Sequence, residues 1–162
     1  MDFLLNFVQK SSNMTGLLKP IRLLILVLII FSCSNDQERR NPNIPDLNFS
    51  FDINLNLPLY SPLTNIGSAV YVGNAGVGVR GVFVINTGFD LFRAFEASCP
   101  NHPPNACSTM ESNGQVATCS CEDYEYNLLT GQQLNRPDDG NRYYDMLEYR
   151  AVKSGNSVVI SN

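Results

Sequence analysis

The chain has 162 residues, a net charge of −4, 44% hydrophobic and 16% charged residues, and a single histidine. That length and apolar content suit one domain with a modest core. The acidic balance gives no electrostatic footprint for a nucleic-acid partner, and one histidine excludes any chemistry that needs two imidazoles.

Chemistry begins at the N-terminus. In "KPIRLLILVLIIFSCSN", Lys19 and Arg22 precede an unbroken apolar run over residues 23–31, the order of basic and apolar regions in an export signal. Nine residues at a rise of about 1.5 Å fall short of a bilayer core of about 30 Å, so the run predicts a signal peptide over residues 1–32 rather than a spanning helix. Ile30, Phe31, Ser32 and Cys33 resemble the bacterial lipobox, which implies that Cys33 carries a lipid and begins a mature chain of 130 residues; Met1 and Met14 are alternative starts. The polar stretch "SNDQERRNPNIPD" then predicts a flexible tether over residues 33–47. Its Asp36 and Glu38 resemble the surface-export signals of Bacteroidota lipoproteins. The expected address is the outer membrane, lipid-anchored, with the periplasmic and outward-facing leaflets both open.

From residue 48 to 162 one β domain is expected. "NFSFDINLNLPLY" alternates apolar and polar residues at Phe49, Phe51, Ile53, Leu55, Leu57 and Leu59, the period of a strand with one buried face, and Pro58 limits its far end. The glycines of "VGNAGVGVRG" have no following helix and read as turns or a bulge. "GVFVINTGFDLFRAFEA" predicts strands over residues 82–85 and 91–95, joined by a turn through Asn86, Thr87 and Gly88. "YRAVKSGNSVVIS" predicts a hairpin pairing 149–152 with 158–160 across Ser-Gly-Asn. Helix signals are almost absent beyond residue 47, so the class is all-β.

Between those hairpins lies "CPNHPPNACSTMESNGQVATCSCEDYEYNLLTG", which holds four of the five cysteines and the histidine. Its second half resembles the Rieske pattern Cys-Pro-X-His-Gly-X-X-Phe-Asp-Leu-X-Thr-Gly. Cys119 stands on the ligand cysteine, Tyr126 on the aromatic, Asn127 on the Asp, Leu128 on the Leu, and Thr130 with Gly131 on the closing turn. "CPNH" after "FEAS" resembles the first Cys-X-His loop of the same family. The resemblance implies a Rieske-like antiparallel β-sandwich with two cysteine-bearing loops at one end.

A Rieske [2Fe-2S] centre takes two cysteines and two histidines. At the histidine positions this chain has Asn101 and Glu122, and His102 is displaced by one residue, which turns its side chain away unless the loop is rebuilt. Cys99, Asn101, Cys119 and Glu122 are therefore read as degenerate cluster positions, with no cofactor and no metal expected. The resemblance also implies disulfides. Cys121 occupies the place of the extra second-loop cysteine that bridges to the first loop in cytochrome-complex Rieske proteins, with Cys107 its expected partner. Cys99 and Cys119, without a cluster, form the second expected bridge. The alternatives are a zinc site of Cys99, His102, Cys119 and Cys121, disfavoured by an oxidising compartment and the tight Cys-X-Cys step, and an electron carrier with an unusual iron–sulfur centre.

No basic residue beside Cys119-X-Cys121 lowers a thiol pKa, and no nucleophile elbow or phosphate loop is present, so no enzyme is expected. The function expected is a structural or protein-interaction module of the cell envelope, a subunit of an outer-membrane secretion, motility or uptake assembly. It would meet the membrane through its lipid and other envelope proteins through Pro100, His102, Pro103 and Pro104.

Overall fold

The computed structural model describes residues 41–162, which lie in one compact unit. The expected signal peptide, the expected lipidation site Cys33 and the first part of the expected tether lie outside the described residues. The described residues contain nine β-strands, a single 3-10 turn at Ser61–Thr64 and no α-helix, so the domain is all-β. No helix among them is long and apolar enough to cross a membrane.

Six strands form one antiparallel sheet in the order β1 (Ser50–Asn54), β9 (Ser157–Ser161), β8 (Glu148–Ser154), β4 (Leu91–Glu96), β3 (Val82–Gly88) and β2 (Ala69–Val72). Side chains from all six meet in one core: Ile53, Val72, Val82, Val84, Phe92, Ala94, Tyr149, Val158 and Ile160. A sheet whose two edges share a core has curled on itself, as the right-handed twist of strands favours. Three short strands, β5 (Glu111–Asn113), β6 (Val116–Thr118) and β7 (Glu125–Asn127), form a second antiparallel sheet.

Strand β3 explains how the two sheets join. Val82 and Val84 face the first core, while Phe83 and Ile85 face a second core with Phe95, Cys99, Met110, Ala117, Cys119, Tyr126 and Leu128. Period-two alternation thus sends successive apolar residues to opposite cores, and a strand buried on both faces reads as a continuous apolar run. The connection continues as main-chain pairing: Ser98 bridges Thr109, and the Met110 and Cys99 amides donate to Ala97 and Ser108 carbonyls at 2.8 Å.

The expected hairpins are present with shifted turns. The β3–β4 turn falls at Phe89 and Asp90, both at positive φ, because β3 runs on to Gly88. The alternation of Phe49, Phe51, Ile53 and Leu55 does face the core, but Leu57 and Leu59 are exposed, because the Leu57 amide closes a turn on the Asn54 carbonyl and ends the strand. The tether expected through residue 47 docks from its middle onward. Ile44 is buried, and the Asn41 and Asn43 side-chain amides donate to the Pro100 carbonyl at 2.8 and 2.9 Å.

The glycine-rich segment is held by a buried carboxylate. Glu96, 0% exposed, accepts hydrogen bonds from the backbone amides of Val79, Arg80 and Ser98 and from the Tyr149 hydroxyl, at 2.7 to 2.9 Å. Gly78, at φ +65, passes so close that a Cβ there would lie 2.7 Å from a Glu96 carboxylate oxygen. Burial first, then the charge and hydrogen bond of Glu96, holds the Tyr149 phenol well above its ordinary pKa.

Candidate functional site

Both cysteine loops project from the same end of the small sheet. The first leaves β4 and returns at the Ser98–Thr109 bridge; the second spans the β6–β7 connection, where the Cys119 amide donates to the Tyr124 carbonyl and the Asp123 amide to the Cys119 carbonyl. Asp123 takes the left-handed conformation, φ 57, that reverses the chain there. Gly131, φ +78, closes the far turn, with its amide 2.6 Å from the Asn127 carbonyl, where the Thr-Gly step of the sequence pattern places it.

Two disulfides join the loops, Cys99–Cys119 inside and Cys107–Cys121 outside, with Cα separations of 5.6 and 5.4 Å. Both lie within the range of about 4.4–6.8 Å that a bridge spans. The inner pair is buried in the second core, while Cys107 is exposed and Cys121 half-buried.

Asn101, at a histidine position of the pattern, serves the fold. Its amide group donates to the Tyr126 hydroxyl at 2.8 Å, and its oxygen accepts from the Tyr144 backbone amide at 2.7 Å, tying the first loop to β7 and to the segment before β8. Burial raises the Tyr126 phenol far above its usual pKa, against the opposing effect of the Asn101 hydrogen bond.

His102 corrects the sequence reading. The turn at residues 100–102 brings the displaced side chain back toward the second loop. Its Nε2 lies 3.6 Å from Cys119 Sγ and 3.3 Å from the Glu122 carboxylate, which itself stands 3.1 Å from Cys119 Sγ. A disulfide sulfur carries no hydrogen, so that last approach is a contact and not a hydrogen bond. His102 Nδ1 lies 2.9 Å from the Pro103 carbonyl oxygen, which can only accept, so Nδ1 carries a proton and Nε2 is the nitrogen aimed at the cysteines. Pro100, expected at an exposed tip, is buried with its carbonyl capped by Asn41 and Asn43; Pro103 is exposed.

The expectation of no metal or cofactor site is overturned by this geometry. Cys99, His102, Cys119, Cys121 and Glu122 bring one ligand atom each within 4.8 Å of one another, a group that could hold a metal ion. The donor set does not fit a Rieske [2Fe-2S] cluster, because the chain's single histidine supplies one imidazole where two are needed, and Asn101 is committed to Tyr126 and Tyr144. The site is therefore a three-cysteine, one-histidine, one-carboxylate group, and Glu122, read only as a degenerate position, is part of it.

No protein-family model matches the chain, and no curated protein matches it. Solved structures do. A complex of reduced oxygenase and oxidised ferredoxin in carbazole 1,9a-dioxygenase matches at 17% identity and a TM-score of 0.44, over 72% of this chain and 94% of that one. The apo form of CntA, a quaternary ammonium Rieske monooxygenase, matches at 15% identity and a TM-score of 0.47, over 76% of this chain but 35% of the other, so this chain spans about a third of that protein. The described residues form an all-β fold of one six-stranded and one three-stranded antiparallel sheet.

Proposed function

We propose that this chain is a lipid-anchored protein of the bacterial cell envelope whose Rieske-like domain works as a protein-interaction module rather than as an enzyme, its contact surface being the tip of the two cysteine loops. The observation that carries this reading is the rigidity of an exposed tip. Pro103, Asn105, Ala106 and Cys107 are exposed, on a loop closed by two disulfides and by the Ser98–Thr109 bridge. A surface already ordered before docking loses little conformational entropy on binding, which is the physical advantage of such a tip. The envelope address is supported by the basic and apolar order of residues 19–31 and by Cys33 after Ser32. An outer-membrane secretion, motility or uptake assembly is the setting this reading favours.

Two variants test the proposal in separate arms. Cys33→Ser moves the protein from the membrane fraction to the soluble one if Cys33 is the anchor; unchanged fractionation removes the anchor. In the other arm, envelopes are cross-linked with wild type and with a Pro103→Ser/Ala106→Lys variant, which alters the tip without touching the bridges. A cross-linked species that wild type forms and the variant loses supports the tip as the contact. An identical pattern from both proteins removes it.

A further inference from the structure

The geometry points to a redox-gated site for a single zinc-like divalent ion, held by Cys99, His102, Cys119 and Glu122 once the inner disulfide is reduced. It rests on coordination geometry at the tip and stands independently of whether the tip docks a partner.

Three of the four corners are already placed. Around a tetrahedral zinc ion, with bonds of about 2.3 Å to sulfur and about 2.0–2.2 Å to nitrogen and oxygen, neighbouring ligand atoms lie about 3.3–3.8 Å apart. Cys119 Sγ, His102 Nε2 and the Glu122 oxygen form a triangle with sides of 3.6, 3.3 and 3.1 Å. Those are the edges of one face of such a tetrahedron to within about 0.5 Å. Cys99 is bonded to Cys119, so its sulfur reaches the fourth corner only after reduction lets the two sulfurs separate. The histidine is also oriented as a metal-bound imidazole usually is. Its Nδ1–H donates to the Pro103 carbonyl at 2.9 Å, which fixes the ring and aims Nε2 at Cys119 and Glu122. Glu122 and His102 keep partial exposure, 35% and 15% of their side chains, giving an ion an entry path, while the two sulfurs sit in an apolar wall.

Metal and disulfide are alternative states of the same residues. A dithiol reductant breaks the Cys99–Cys119 bond and becomes a cyclic disulfide, leaving two thiols on the protein. Binding of the divalent ion then releases the two thiol protons to solvent, and the ion meets two thiolates, the neutral Nε2 and the Glu122 carboxylate. Thiolate and imidazole select a borderline-soft ion such as Zn²⁺ over Mg²⁺ or Ca²⁺. The Cys107–Cys121 pair, on the outer side and more exposed than the inner pair, supplies none of the four ligands.

The test is cobalt and zinc binding to the full-length protein, reduced, freed of reductant and kept under inert gas. Wild type is expected to bind one equivalent of Co²⁺ with the intense visible bands of tetrahedral coordination and a thiolate charge-transfer band, all displaced by Zn²⁺. The oxidised protein is expected to show none. Glu122→Gln and His102→Ala, both at the rim and harmless to the core, should each weaken Zn²⁺ binding by at least about tenfold. The Cys107→Ser/Cys121→Ser variant should still bind. The proposal is overturned if reduced wild type gives no tetrahedral spectrum, if oxidised protein binds equally, if both rim variants bind as wild type does, or if loss of the outer cysteines abolishes binding.

Discussion

A buried carboxylate with four donors around it shows how much a single side chain organises in this domain. Glu96 holds the Val79 and Arg80 amides of the glycine-rich loop, the Ser98 amide at the root of the first cysteine loop, and the Tyr149 hydroxyl on β8. Replacing it by alanine strands the buried Ser98 amide and Tyr149 hydroxyl, each of which costs about 1–3 kcal/mol when unsatisfied, together with the half-buried Val79 and Arg80 amides. Glu96→Ala is therefore expected to lose at least about 3 kcal/mol in urea unfolding, more than Asp52→Ala at an exposed strand position. Tyr149 and Tyr126 set the alkaline limit. Both phenols are held above their ordinary range near pH 10, so the native state keeps protons that the unfolded chain releases. Their contribution is complete below about pH 10 and is lost as pH rises above it, and a stability profile from pH 8 to 11 should flatten in Tyr126→Phe/Tyr149→Phe.

Among the elements, those with strong apolar alternation were legible and those without it were not. Strands β4, β8 and the start of β1 follow from apolar residues at period two, and β3 and β9 from short continuous apolar runs. Strand β5, Glu111–Asn113, has no apolar residue at all and is wholly exposed; it is a strand because its backbone pairs with β6, a long-range fact its own composition does not carry. Asn41 and Asn43 escaped as anchors because they sit in a polar, proline-bearing stretch, and only the folded chain puts the Pro100 carbonyl beside them. Gly131 was legible through the Thr-Gly turn of the pattern. A Cβ there would lie 2.6 Å from Phe95 Cε1, on a backbone at φ +78. Gly131→Ala is expected to destabilise by about 1–3 kcal/mol, read as a lower urea midpoint with unchanged slope.

For the whole molecule, the two cysteine loops, joined by both disulfides, fix one end of the small sheet, and that end is the proposed contact surface. The sequence pattern located the loops and the cysteines but turned His102 away from them. Ligand position along a chain is a one-dimensional quantity, and the turn at residues 100–102 undoes the one-residue offset in space. Each bridge closes a short loop, of 20 residues for the inner and 14 for the outer, worth about 3 kcal/mol by restricting the unfolded chain. Removing the inner pair as Cys99→Ser/Cys119→Ser should cost more than removing the outer pair, because it also buries two hydroxyls in an apolar cluster; thermal melts of the two double variants compare them. The most direct measurement of the central claim is peptide mapping of the oxidised protein under non-reducing conditions, with fragmentation that separates Cys119 from Cys121. The expected map links Cys99 to Cys119 and Cys107 to Cys121. Crossed links, Cys99 to Cys121 with Cys107 to Cys119, or four free thiols would contradict it.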